Sequence, residues 1–89
     1  MRICRPDSVG FMAQPQRVPE LVALGRALAE LRQDRDLTQE ALALSTGVHR
    51  NYIGGIERGE RSPTVATVAV LADALGVSMG DLFTRAESS

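Results

Sequence analysis

From His49 to Arg61 the chain reads HRNYIGGIERGER, a stretch dense in side chains that can recognise a base edge or a phosphate. Arg50 can pair bidentately with O6 and N7 of guanine, and Asn51 can do the same with N6 and N7 of adenine. Tyr52 can set its hydroxyl on a phosphate while its ring stays among apolar neighbours, or simply be a half-buried aromatic with a wet tip. The same stretch holds Gly54, Gly55 and Gly59, three glycines in six residues. They raise a competing chemistry, a glycine-rich loop whose backbone N–H groups cradle phosphate. That reading fails on its surroundings, because no Lys follows the last glycine, no Walker spacing is present and no strand pattern precedes it.

Catalytic and metal chemistry are poorly supplied. His49 is the single histidine and Cys4 the single cysteine, so a zinc site and an internal disulfide both lack partners. No nucleophile or carboxylate is expected beside His49, and the chain reads as a non-enzyme needing no cofactor and no metal. A lone cysteine fits the reducing cytoplasm. No stretch approaches the roughly 20 apolar residues of a membrane span, and the N-terminus lacks a signal-peptide core. The expectation is a soluble cytoplasmic protein without a membrane partner.

Charge gives a mixed signal. The net charge is −1, and residues 20–89 hold seven Arg against ten acids, a net of −3. A basic surplus is the usual footprint of phosphate binding, so the sum points away from nucleic acid. Yet all ten basic residues are Arg and none is Lys, which suits bidentate contacts to phosphate or guanine. A GC-rich genome would produce the same bias.

These side chains need elements to hold them. The 89 residues suffice for one small core. An apolar fraction made mostly of Ala, Leu and Val, with 3% aromatics, predicts an all-α fold. Residues 1–19, with Pro6, Pro15 and Pro19 and no apolar period, read as an irregular arm carrying Arg2, Arg5 and Arg17; Met12 could be the natural start. From Glu20, the spacing of Leu21, Leu24, Leu28 and Leu31 predicts a first helix ending near Asp34. Thr38 caps a short second helix, Gln39 to Ser45, with Leu42 facing inward.

After a turn at 46–48, a third helix runs from about Arg50 to Arg58, stopped by Gly59 and Pro63. Thr64 caps a fourth, with Val68, Leu71, Ala72 and Leu75 on one face and Gly76 closing it. Ser78 opens a fifth through a capping-box variant with Asp81, followed by Leu82 and Phe83; residues 84–89 read as a frayed tail. The domain is thus expected over residues 20–83.

The second and third helices, joined by a tight glycine turn, describe a helix-turn-helix over residues 39–58. Ala43 lies where the two helices approach and must stay small, while Gly47 can supply the positive φ of the turn. Beyond the motif, the segments LTQEALA at 37–43, GV at 47–48, IERGER at 56–61 and LADALGVS at 71–78 occur in order and at matching spacing. Over roughly Leu21 to Phe83 the sequence resembles the phage repressor and Cro (XRE-like) family of helix-turn-helix domains, a fold of five short helices, and is similar to restriction-modification controller proteins.

The resemblance implies that the third helix enters the major groove. Arg50 and Asn51 match base-reading positions, and Gln39 matches a glutamine that contacts phosphate and braces the reading residues. Arg58 and Arg61 fall where relatives grip the backbone and are read as phosphate contacts, with an exposed surface charge as the alternative. Glu57 matches an acid paired with an arginine of the first helix, here Arg32. His49 stands where the family has a Ser or Thr cap and either faces DNA or is an idle surface histidine.

Gly54 and Gly55 are expected on the side of the third helix away from the core, where relatives carry reading side chains. They either bring the backbone close to the bases or weaken the helix by roughly 2 kcal/mol.

Family members act on double-stranded DNA as symmetric dimers, so a homodimer surface is expected, and Ala66, Val70, Ala74, Val77, Met79 and Phe83 form its candidate. The implied function is a DNA-binding transcriptional regulator, repressor or controller. The alternative is a protein-interaction module or antitoxin that holds a toxin or regulator with the same fold.

Overall fold

A computed structural model describes residues 18–88. Five helices follow one another: α1 Pro19–Asp34, α2 Gln39–Thr46, α3 Arg50–Glu57, α4 Val65–Ala74 and α5 Met79–Glu87. There is no strand among the described residues. The candidate arm lies outside the described residues except for its end. Pro19, read as part of that arm, is instead the first residue of α1, where a missing N–H leaves no hydrogen bond unmade.

Each short helix is started by a side chain that accepts from an otherwise orphaned N–H. Thr38 Oγ1 accepts from Ala41 N–H at 2.9 Å and Thr64 Oγ1 from Thr67 N–H at 3.1 Å. At Ser78 the capping box closes in both directions: Ser78 Oγ accepts from Asp81 N–H at 2.9 Å, and Asp81 Oδ2 accepts from Ser78 N–H at 3.5 Å. Helices of eight to ten residues would be marginal alone, so packing must supply the rest.

That packing is one cluster. Leu24, Leu28 and Leu31 of α1 meet Leu42, Ile53, Ile56, Val68, Leu71 and Leu82 from the other four helices and Leu75 at the C-cap of α4. Leu21, expected on the same stripe, is only half-buried. α1 runs against α3 and α5, α2 lies against α3 and α4, and α4 against α5. Gly25 sets the α1–α3 separation. A Cβ there would run into the Ile56 and Glu57 carbonyl oxygens, so the two backbones touch where only hydrogen fits.

The C-terminal end departs from the expected frayed tail. α5 continues to Glu87 with Ala86 buried, and Arg26 of α1 donates to the Ala86 carbonyl at 3.0 Å. Arg85 reaches Glu30 at 3.3 Å and Asp34 at 3.8 Å, while Arg26 bridges Glu30 at 3.0 Å. Arg26, chiefly through its hydrogen bond, holds the Glu30 carboxyl below its ordinary value of 4.5, with Arg85 acting the same way. The tail is therefore a strut of α1, a role carried by pairings 55 and 60 residues apart that no local pattern displays.

Candidate nucleic-acid interface

α2 and α3 are joined by Gly47, at φ 79°, and Val48, whose N–H is held by Thr46 Oγ1 at 3.1 Å. Ile53 and Ile56 are fully buried and fix one side of α3 to the core. At about 100° per residue, Asn51, Gly55 and Arg58 then lie on the opposite, outward side. Asn51 is exposed at the first turn of this face, and Arg50, also exposed, stands at its edge beside Thr38, Gln39 and Glu40 at the start of α2.

His49 is the cap of α3: its Nδ1 accepts from the Asn51 N–H at 3.1 Å. The ring is exposed, and this bond ties it to the base of the face.

The opposite end of α3 is locked by a polar node. Arg32 Nε donates to Glu57 Oε2 at 2.7 Å and Arg32 Nη2 to Glu57 Oε1 at 3.0 Å, a two-pronged pair with side chains 11% and 7% exposed. Arg32 Nη1 also donates to the Leu37 carbonyl at 2.6 Å. Gln39 Nε2 donates to Glu57 Oε1 at 2.9 Å. The structure thus brings together three of the residues singled out from sequence, so the first residue of α2, the last of α3 and the end of α1 share one carboxylate.

Two glycines require a correction. Gly54 and Gly55 are buried, not an open backbone strip. A Cβ at Gly54 would stand 3.1 Å from Arg58 Nη1 and 3.4 Å from Gln39 Oε1; one at Gly55 would stand 2.5 Å from Arg61 Cγ. The space left by each missing side chain is filled by a neighbour. Arg58, whose Nε also meets Glu60 at 3.1 Å, covers the first slot with Gln39, and Arg61 covers the second. Arg61 stacks over the Tyr52 ring at 5.9 Å, and the Tyr52 hydroxyl makes a long contact of 3.5 Å to the Ser62 carbonyl.

The residues of the candidate dimer surface differ in exposure. Ala66, Val70, Ala74, Met79 and Phe83 are exposed, but Val77 is half-buried and packs against the core, where its N–H bonds the Ala72 carbonyl beyond the end of α4. Leu44, 87% exposed, and Val65, 72% exposed, are large apolar side chains outside that candidate set. Leu44 sits two residues after the inward Leu42, the spacing that turns a helical side chain outward.

A pair of short helices joined at a glycine, the second pinned by apolar residues and polar on its outward face, is a helix-turn-helix. The family model of that description, HTH_3, matches residues 28–82. The chain belongs to this helix-turn-helix family. It is 41% identical over 66 residues to the uncharacterized HTH-type transcriptional regulator y4dJ of Sinorhizobium fredii, covering 74% of this chain and 86% of the relative.

Among solved structures it is similar to the restriction-modification controller protein C.AhdI from Aeromonas hydrophila, at 40% identity and TM-score 0.71, over 73% of this chain and 98% of that one. It also matches the controller C.Esp1396I, solved as a tetramer with its natural 35 base-pair operator, at 30% identity and TM-score 0.69, over 75% and 88% of the two chains.

Proposed function

We propose that the protein is a sequence-specific, double-stranded DNA-binding transcriptional regulator of the repressor or controller kind. The observation that carries it is the outward face of α3, with Arg50 and Asn51 exposed at its first turn and the helix held from behind by Ile53, Ile56 and the Glu57 node. The operator-bound form of the related controller C.Esp1396I supports the same use of this fold here. Arg50 and Asn51 read bases in the major groove. Gln39, Tyr52 and Arg58 contact phosphate, which fixes register without carrying sequence information. Gln39 does so while bonded to Glu57, so a phosphate contact there is transmitted to the end of the reading helix.

One α3 covers few base pairs, and a homodimer on a palindromic operator doubles the reading. The exposed residues Ala66, Val70, Ala74, Met79 and Phe83 supply an apolar surface for it. Half-site centres about 10 base pairs apart place both α3 copies on one side of the duplex. No single helix among the described residues is long and apolar enough to cross a membrane, and binding chromosomal DNA assigns the protein to the cytoplasm. This role is binding, not catalysis.

The test is a gel shift with DNA from upstream of its own gene, with Arg50→Ala in parallel and salt as a variable. Wild type should give a sequence-specific shift that weakens steeply with salt, roughly 10³-fold or more between 50 and 200 mM if six or more phosphates are met. Arg50→Ala should lose the specific shift. The net charge of −3 over residues 20–89 favours a second reading, a protein-binding module that holds a toxin or regulator. Absence of any shift at moderate salt favours it.

A further inference from the structure

We infer that Arg61 is a specificity-determining residue that reads a guanine, seated on the recognition helix by Gly55 and Tyr52; this rests on the DNA-binding reading above. The geometry begins at the end of α3. Gly59, at φ 76°, turns the chain so that Gly59 N–H bonds the Ile56 carbonyl at 3.0 Å and Glu60 N–H the Gly55 carbonyl at 2.8 Å, a Schellman closure. Arg61 N–H meets the same Gly55 carbonyl at 3.2 Å. The chain beyond the helix is thereby folded back beside Gly55.

The Arg61 side chain continues that path. Its Cγ and Nε lie 2.5 and 3.5 Å from where a Gly55 Cβ would be, and its guanidinium carbon is 5.9 Å from the Tyr52 ring centre. Residue 55 lies four places after Asn51, one turn along the outward face. The Arg61 side chain therefore crosses the layer in which a side chain from residue 55 would meet base edges. It passes over Gly55, a position of the outward face, and is held against the Tyr52 ring. Its fork then offers the donors that match O6 and N7 of guanine.

The second glycine consequently has a use that the sequence conceals. It removes its own side chain so that an arginine six residues later can take the place. Arg58 differs, because its Nε is engaged by Glu60 at 3.1 Å and its tip lies over Gly54 beside Gln39.

The test is selection from a randomised double-stranded DNA pool with wild type, Arg61→Ala, Arg61→Lys and Gly55→Ala, followed by salt titration on the selected site. The wild type should select a guanine at one position per half-site, in addition to those governed by Arg50 and Asn51. Arg61→Ala should flatten discrimination at that position, about 5- to 150-fold in wild type, and leave the others, whereas Arg61→Lys, whose ammonium can still donate to guanine, should keep part of it. The lysine keeps the charge, so its salt slope should match wild type.

Gly55→Ala, whose methyl displaces Arg61, should flatten the same position, and adding Arg61→Ala to it should change that position no further. An even loss of affinity across all sequences in Arg61→Ala, with a salt slope smaller by about one, makes Arg61 a phosphate contact and overturns the inference. A wild type that binds but enriches no sequence refutes the DNA-reading function itself, a failure distinct from that of Arg61.

Discussion

Glu57→Ala is the substitution that most directly probes how the reading helix is held. It removes one carboxylate and with it three donors' partners: Arg32 Nε at 2.7 Å, Arg32 Nη2 at 3.0 Å and Gln39 Nε2 at 2.9 Å. Arg32 would keep its bond to the Leu37 carbonyl, but its side chain is 11% exposed and solvent cannot replace a partner that close to the core without opening it. Breaking a buried pair in this way costs about 3–5 kcal/mol.

Small domains are stable by only about 5–15 kcal/mol in total. Each kcal/mol shifts the melting temperature of a domain this size by about 4–8 °C, so a loss of at least about 12 °C is expected. The assay is urea unfolding of wild type, Glu57→Ala, Arg32→Met and the double variant, read as midpoints at constant m. The double variant should cost clearly less than the sum of the singles, because an apolar pair strands no charge. A Glu57→Ala midpoint within about 0.5 kcal/mol of wild type, or strict additivity in the cycle, would refute the claim that this node holds α3 to α1.

Three further outcomes are expected. Gly25→Ala should destabilise at the upper end of the roughly 1–3 kcal/mol usual for overpacking, or beyond it, since its methyl meets the backbone carbonyls of Ile56 and Glu57 instead of a movable side chain; a wild-type denaturation midpoint would mean that α1 and α3 separate freely. His49→Ser should raise stability by up to about 1 kcal/mol, because a hydroxyl caps α3 better than the imidazole now bonded to Asn51 N–H; a lower midpoint would show that the ring does more in the free protein than cap.

The Glu30 carboxyl titrates below 4.5 in the fold because of Arg26 and then Arg85. Its contribution is full above the unfolded value and is lost as pH falls through the lowered folded value. Glu30→Gln should therefore make stability less dependent on pH below about 4.5, as measured by thermal melts across that range, and an unchanged acid limb would remove the α1–α5 ion cluster from the account.

What the sequence disclosed and what it hid divide along the range of the interactions. The helices of the domain were legible because their signals are local: Thr38, Thr64 and Ser78 each cap the helix that follows, and Leu24, Leu28 and Leu31 repeat at a helical period onto one core. The reach of α5 was not legible, since Arg26, Glu30 and Arg85 meet only after folding and Ala86 gives no sign of burial by its type.

The paired glycines are the sharpest case. In a local reading, Gly54 and Gly55 are absences on the reading face of α3. In the fold each absence is a seat, and the occupants come from outside the helix: Gln39 from the start of α2, Arg58 from the cap and Arg61 from the returning chain. A side chain's place on a binding face is thus not given by its position in the helix. Arg61 lies beyond α3 altogether, and the left-handed turn at Gly59 that ends the helix is also what carries it back across. A substitution at Gly55 is therefore as much a change of the arginine six residues later as of the glycine itself.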